Sequence, residues 1–307
     1  RSHFGSRAAQ EFCPVCLHAE LLPFRAVWMP CVKVRYLKPE LKGTAPRIGN
    51  KESRHAATVL EEVSIEDARP AQEAGSLSLD TNGFVLVERP TRCLDFHDSK
   101  CIKQVYYAEC EELVKWATGA AAAFVTEHLV RTETPKGFSD GYARYVHLDY
   151  NEALASFVPQ MFAQRMGIER RRAEEEYDFA FYNVWRPFDR EVLQNPLALI
   201  DARTVSPDDV QDYIVAFRPH VPGAPEPRAT IVSSNPQHRW SYFPRMQPSE
   251  ALLFKQLDLR NGTGSRQCPH ISFVDPAAPA DAPGRRSVEV RLLAAFPRKG
   301  GTRAARL

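Results

Sequence analysis

From Tyr177 to Phe296 the chain is cut into short β-prone runs separated by clusters of Pro, Gly, Asn and Asp. The runs read DFAFYNVWRP, LALIDARTV, DYIVAFRP, ATIVSSNP, HRWSYFP, EALLFKQLD, HISFVDP and RSVEVRLLAAF. Many short strands with turn signals between them predict an antiparallel sandwich or barrel rather than a parallel sheet with crossover helices. Helical patterns precede this region. Leu113, Trp116, Ala120 and Phe124 recur at three and four, which predicts one helix over Tyr107 to Val130, with His128 continuing its stripe. A second helical stretch runs from Asn151 to Tyr177, interrupted near Pro159, and ends in the charged ERRRAEEE, whose opposite charges lie in reach of each other on a solvated face. The expected fold class is mostly β with flanking helices, a jelly-roll-like core following the helices.

Upstream, SLSLDTNGFVLVERP (76–90) places an Asn82-Gly83 turn before a strand through Phe84 to Val87, and the core domain is expected to begin there. Residues 1–75, rich in Pro, Arg and Lys, read as an arm packing on the core. Residues 76–296 form the core domain, with its helical segments within 107–177, and 297–307 read as a basic tail. No internal repeat is visible.

Composition excludes several classes of function. The 307 residues are 44% apolar, ample for a substantial core, and 40 basic against 38 acidic side chains leave a formal charge of +2. Without a long basic block, nucleic acid is not an expected partner. No apolar run is long enough to span a membrane and no secretory h-region is seen, so a soluble, cytoplasmic protein is expected. The seven cysteines are odd in number and scattered, which reads as reduced thiols rather than a disulfide framework. Cys13 and Cys16 of CPVC, with His18 and Cys31 nearby, lack the second paired half that a zinc site requires.

The chemistry is concentrated in GYARYVHLDYNEA (141–153). In an extended segment Tyr145, His147 and Asp149 share a face, which puts an imidazole and a carboxylate side by side as two metal ligands. A third ligand would come from His220, His238 or His270, of which His220 lies between prolines in a loop. Two histidines and one carboxylate occupy three positions on iron(II) and leave three open. Arg285 and Ser287, fifteen and seventeen residues after His270, supply a guanidinium fork and a hydroxyl of the kind that could hold the far carboxylate of 2-oxoglutarate.

The stretches HLD, YNVWRP, PLALIDARTV, NPQHRWSYFPRMQPSEALLFKQLD, PHISFVDP and RRSVEVRLLAAF, with YYAECEELVKWATGA and EHLVR upstream, resemble the fungal and bacterial hydroxylase/desaturase family of secondary metabolism. That family includes gibberellin-desaturase-like and cephamycin-methoxylation-related proteins among the iron(II)/2-oxoglutarate-dependent oxygenases. The likeness runs from about Leu79 to Phe296, and it departs from the usual R-E-S-I-E-V-R at Arg286, which stands where the family has an acidic residue. The resemblance implies a double-stranded β-helix with His147, Asp149 and His270 on iron. It also implies 2-oxoglutarate and O2 as co-substrates and a small natural-product-type substrate, to be hydroxylated, desaturated or closed into a ring. Arg285 and Ser287 are the first expectation for the distal carboxylate and Arg291 the second, its alternative being an in-strand partner for Glu289. Arg186 of the NVWRP segment could serve a carboxylate or the structure. Two other readings of the same ligands are a zinc hydrolase and a non-catalytic cupin-like binding protein. The Arg-x-Ser that follows the last histidine weighs against the first, and the mark of the second would be a missing ligand, where none is missing.

Overall fold

The structure, a computed structural model, describes residues 29–135, 141–216 and 226–298. Fourteen strands alternate with short helices among these residues. The first four strands are β1 (Cys31–Leu37), β2 (Arg47–Ile48), β3 (Thr58–Asp67) and β4 (Phe84–Glu88). Next come β5 (Ala122–Arg131), β6 (His147–Leu148), β7 (Tyr177–Pro187), β8 (Leu197–Ile200) and β9 (Val210–Val215). The last five are β10 (Arg228–Val232), β11 (Trp240–Tyr242), β12 (Glu250–Asp258), β13 (His270–Ser272) and β14 (Ser287–Pro297). A nine-stranded sheet has the order β1-β3-β11-β8-β13-β6-β10-β9-β2, and a five-stranded sheet the order β4-β12-β7-β14-β5. Each of the eight runs after Tyr177 contains one strand, as their turn-bounded pattern predicts. The result is the expected jelly-roll core.

Alternation along β7 and β14 fixes what each face of the smaller sheet does. Ala180, Tyr182 and Val184, with Val288, Val290 and Leu292, point outward and pack under Ile102, Tyr106, Leu113 and Val114 of the helical layer. Trp185 of β7 and Phe84, Leu252 and Phe254 of the neighbouring strands point inward and meet Leu197 and Leu199 of the larger sheet. On the inward face of β14, Leu293 and Ala295 are apolar, but Ser287, Glu289 and Arg291 before them are polar side chains that are nonetheless buried. An inward polar row in an otherwise apolar sandwich needs partners, and it marks where the site lies.

The helix predicted over 107–130 ends at Thr118. Gly119 takes the left-handed conformation (φ 71°) that closes the helix, and Ala122 to Arg131 then pair with β14. The apolar stripe at three and four therefore spans two different elements. Trp116 is exposed, Phe124 sits on a strand, and His128 is a strand residue hydrogen-bonded at 2.5 Å to the Tyr107 hydroxyl. The second helical stretch is a 3-10 turn and two short helices, Val158–Met166 and Arg170–Glu176, with Pro159 in the first turn of the former. The charged helix carries the three i,i+4 pairs Arg170–Glu174, Arg171–Glu175 and Arg172–Glu176.

The described part of the segment read as an arm is more ordered than an arm implies. β1 and β3 pair antiparallel over seven positions, and Val32, Val34 and Tyr36 cover the outer face of the larger sheet against Val146, Ala198 and Ile271. Alternating VKVRYL is a strand because its apolar half has a sheet to cover. Cys13, Cys16, His18 and His220 lie outside the described residues, as does most of the C-terminal tail. Gly83, at φ 87°, makes the predicted turn, where a Cβ would come within 3.0 Å of Ala202 and 3.1 Å of Cys268.

Candidate metal centre

His147 and His270 are brought together by backbone pairing. The two residues stand directly opposite each other on β6 and β13, with ring centroids 4.3 Å apart. Asp149 follows β6 and turns inward, so that one ligand atom from each of His147, Asp149 and His270 lies within 4.8 Å of the others. His147 Nδ1 lies 2.9 Å from the Tyr145 carbonyl oxygen. A carbonyl only accepts, so the proton sits on Nδ1 and the Nε2 lone pair is left for a metal. Burial pushes the pKa of both imidazoles down, well down for His270, where the neighbouring His147 adds to the effect. Both rings are thereby kept neutral, the form that ligates.

Asp149 is held from three sides. Burial favours its neutral form, but Arg291, His147 and Asn183 outweigh that cost and keep its carboxyl below the usual range. Arg291 Nη2 donates to Oδ1 at 2.5 Å and Asn183 Nδ2 to Oδ2 at 2.6 Å, while the Asp149 N–H donates to Gln256 Oε1 at 2.9 Å. Arg291 also donates to Glu289 at 3.0 and 3.1 Å and to Glu127 at 3.1 Å. Three carboxylates therefore occupy the guanidinium. The in-strand pairing with Glu289 is the alternative foreseen for Arg291. Glu289 itself reaches to 4.0 Å from His270 Nε2.

Arg285 presents the opposite case. It is buried, yet among the described residues its hydrogen bonds all go to neutral groups, from Nη1 to the Asn195 carbonyl and to Ser272 Oγ. Its guanidinium lies 4.5 Å from the Tyr142 ring centroid and 5.2 Å from that of Trp185. Burial, reinforced by the like charge of Arg131, pushes its pKa down to about 9. Arg285 Nε and Ser287 Oγ are both buried with no hydrogen-bond partner. A buried cation short of acceptors, beside an orphaned hydroxyl, is a site that an anion would complete. Ser287 is two residues before Glu289 on the same inward face, about 7 Å by strand rise. A short dicarboxylate could span that distance. The residues present thus fit both a metal with open positions and a 2-oxoglutarate molecule reaching from it.

Two contributors were not legible in the sequence. Gln256 occupies a register shift in β12, where Lys255 pairs with Tyr182 and Leu257 with Phe181, so an extra residue aims its amide at Asp149 and His270. The second is Asn183, which opens the NVWRP segment and has no role in the reading of the sequence. His238 is no part of the cluster. It hydrogen-bonds to Tyr36 Oη at 3.0 Å and to Asp209 Oδ2 at 3.1 Å. Arg186 also has a structural role, donating to Tyr106 Oη and to the carbonyls of Pro248 and Arg89. Beside His147 and Asp149 opens a cavity of about 430 Å³ whose walls include Leu129, Tyr150, Leu154 and Val215.

Known proteins carry the same frame. A family model described as an oxidoreductase/YMDC permease-like domain matches residues 34–295. The hydroxylase/desaturase efuI of Hormonema carpetanum is 31% identical over 263 residues, which cover 75% of this chain and 82% of that protein. The chain belongs to the fungal hydroxylase/desaturase family. A second relative, the Fe(II)/2-oxoglutarate-dependent dioxygenase nvfI of Aspergillus novofumigatus, is 30% identical over 237 residues, 75% of this chain and 82% of its own. Among solved structures, the iron and alpha-ketoglutarate-dependent endoperoxidase NvfI superimposes with a TM-score of 0.75 at 25% identity, covering 88% of this chain and 98% of that one. Among the described residues, no helix is long and apolar enough to cross a membrane.

Proposed function

We propose that His147, Asp149 and His270 hold iron(II) and that Arg285 and Ser287 anchor the distal carboxylate of 2-oxoglutarate. The protein is an iron(II)/2-oxoglutarate-dependent dioxygenase, an oxidoreductase of the kind named among its relatives. The observation that carries the site assignment is the pair of orphaned polar atoms, Arg285 Nε and Ser287 Oγ, on the inward face that leads to the metal ligands. A zinc hydrolase would leave that pair without a purpose, and a binding-only protein has no need of a complete set of three metal ligands.

When bound, iron(II) with 2-oxoglutarate and O2 supplies an oxidant able to remove hydrogen from an unactivated carbon, with succinate and carbon dioxide as co-products. The chain does the rest. Tyr145 fixes the tautomer of His147, and Arg291 and Asn183 fix the rotamer of Asp149 and keep it charged. The planar Arg285 fork and the Ser287 hydroxyl set the orientation of the dicarboxylate. The cavity, partly walled by Leu129, Tyr150, Leu154 and Val215, would orient a small natural-product-type substrate and limit water near the metal. Whether hydroxylation, desaturation or ring formation results depends on where it places the carbon. A cytoplasmic setting is consistent with the free thiols of Cys93, Cys101, Cys110 and Cys268.

The test is iron-dependent conversion of 2-oxoglutarate to succinate. The parent should show it, and His147→Ala, Asp149→Ala and His270→Ala should each lose it with the fold retained. Succinate formation by His270→Ala together with its loss in His238→Ala would reassign the third ligand.

A further inference from the structure

Away from the metal centre, Cys93 and Cys101 lie side by side. Their sulfurs are 3.3 Å apart across a seven-residue loop. Cys93 is 4% exposed, whereas Cys101 is only partly covered. Phe96, in the middle of the loop, packs edge-on against Tyr106 at 5.0 Å and stacks on Phe188 at 5.2 Å. That anchor holds both ends of the loop in place. The Asp98 carboxylate accepts the Lys100 N–H at 2.8 Å and so fixes the turn that ends at Cys101.

The two thiols differ in a way that assigns them different roles. Backbone groups of Asp95 and Leu94, with the Cys93 thiol, favour the Cys101 thiolate and lower its pKa. Burial, with the neighbouring Cys101, pushes the Cys93 thiol up to about 12, and its S–H points to the Asp95 carbonyl at 3.7 Å. An accessible sulfur inclined to ionise, with a protected sulfur in contact behind it, is the arrangement of an attacking and a resolving thiol. Cys110 and Cys268 serve as internal contrasts, because both are fully buried with raised pKa values.

We propose that Cys93 and Cys101 form a reversible dithiol/disulfide site that reacts with low-molecular-weight disulfides such as glutathione disulfide. The Cys101 thiolate attacks one sulfur of glutathione disulfide, the S–S bond breaks, and one glutathione leaves as thiolate and takes up a proton. Cys93 loses its proton, its sulfur displaces the second glutathione from Cys101, and that thiolate is protonated in turn. The protein gives up two hydrogens and is oxidised by two electrons, and glutathione disulfide is reduced to two molecules of glutathione. The product closes the loop covalently around Phe96.

The full-length chain would be equilibrated anaerobically in glutathione buffers of rising disulfide content, then unfolded in guanidinium chloride with excess maleimide so that every remaining thiol, buried ones included, is blocked, and its peptides mapped by mass spectrometry. Cys93 and Cys101 should lose labelling together, their peptides should be joined with the loss of two hydrogens, and Cys110 and Cys268 should stay labelled. Dithiothreitol should restore both labels. Cys93→Ser should accumulate glutathione on Cys101, and Cys101→Ser should leave Cys93 labelled. The proposal is overturned if the parent accumulates glutathione on Cys101 while Cys93 stays free, or if both thiols remain labelled at every buffer ratio. Because the decisive readouts come from the parent, a variant that fails to fold does not blunt the test.

Discussion

Arg285 and Arg291 are both buried arginines of the same strand region, yet the structure uses them in opposite ways. Arg291 is saturated by Asp149, Glu289 and Glu127, and those carboxylates, despite burial, raise its pKa further. Arg285 has no carboxylate to bond among the described residues and keeps an orphaned Nε. Arg285→Ala should therefore weaken 2-oxoglutarate binding by about 1.5 to 3 kcal/mol, roughly ten- to more than a hundredfold, with iron binding retained. Arg285→Lys should recover little, since it keeps the charge and loses the fork. Ser287→Ala should cost about 1 kcal/mol, one ordinary hydrogen bond. Isothermal titration of each variant with 2-oxoglutarate under anaerobic iron(II) checks all three. His238→Ala should leave iron binding intact but lower stability by about 1 to 3 kcal/mol, because Asp209 and Tyr36 lose a buried partner. The H-x-D pair and a later histidine were legible as ligands from residue type and spacing. His270 could be preferred to His238 from the Arg-x-Ser that follows it fifteen residues later, but what brings it to His147 is the pairing of β13, which opens at His270, with β6.

At the scale of the element, the strands after Tyr177 could be read because Pro, Gly, Asn and Asp interrupt them. The boundary between helix and strand near Gly119 could not. The alanines around it fit either period, so the apolar recurrence ran on past the cap. Replacing Gly119 (φ 71°) with alanine should cost about 1 kcal/mol in denaturant unfolding without steric conflict, since no atom lies within 4 Å of the added carbon. The bulge at Gln256 was equally hidden, because a period of two assigns every other residue inward and has no place for an extra one. The same strand carries a buried charge pair, Lys255 Nζ to Asp258 Oδ2 at 2.7 Å, with both side chains wholly inaccessible. Burial opposes ionisation of Asp258, but Arg260 and Lys255 prevail and hold its carboxyl below the usual range. A depressed carboxyl adds stability above its unfolded pKa and loses that contribution as the pH falls through its folded value. The parent should therefore destabilise below about pH 4, and Asp258→Asn should be weaker by about 3 kcal/mol or more near neutrality, with a flatter acid limb. Urea unfolding of both proteins across the acid range reads both effects.

Across the whole molecule, two sheets make one interior, and the site occupies the part of it where inward positions turn polar. The larger sheet contributes His147 and His270, and the smaller contributes Asn183, Glu289 and Arg291. Such a site exists only when the sheets are assembled, which is why local sequence reveals its members but not their arrangement. Ligands that bind the folded state should then stabilise the whole. Iron(II) with 2-oxoglutarate at a hundred times its dissociation constant should add about 2.7 kcal/mol, seen as a raised melting temperature that His147→Ala abolishes. The most direct test of the central claim is an anaerobic titration of the iron(II)-loaded protein with 2-oxoglutarate, followed by visible absorption, in the parent, Arg285→Ala and Arg291→Ala. A weak charge-transfer band should grow in the parent, require far more 2-oxoglutarate in Arg285→Ala, and saturate in Arg291→Ala at a concentration near the parent's provided iron is retained. A band that Arg285→Ala leaves unchanged while Arg291→Ala loses it with iron still bound would place the anchor six residues further along the strand and contradict the account.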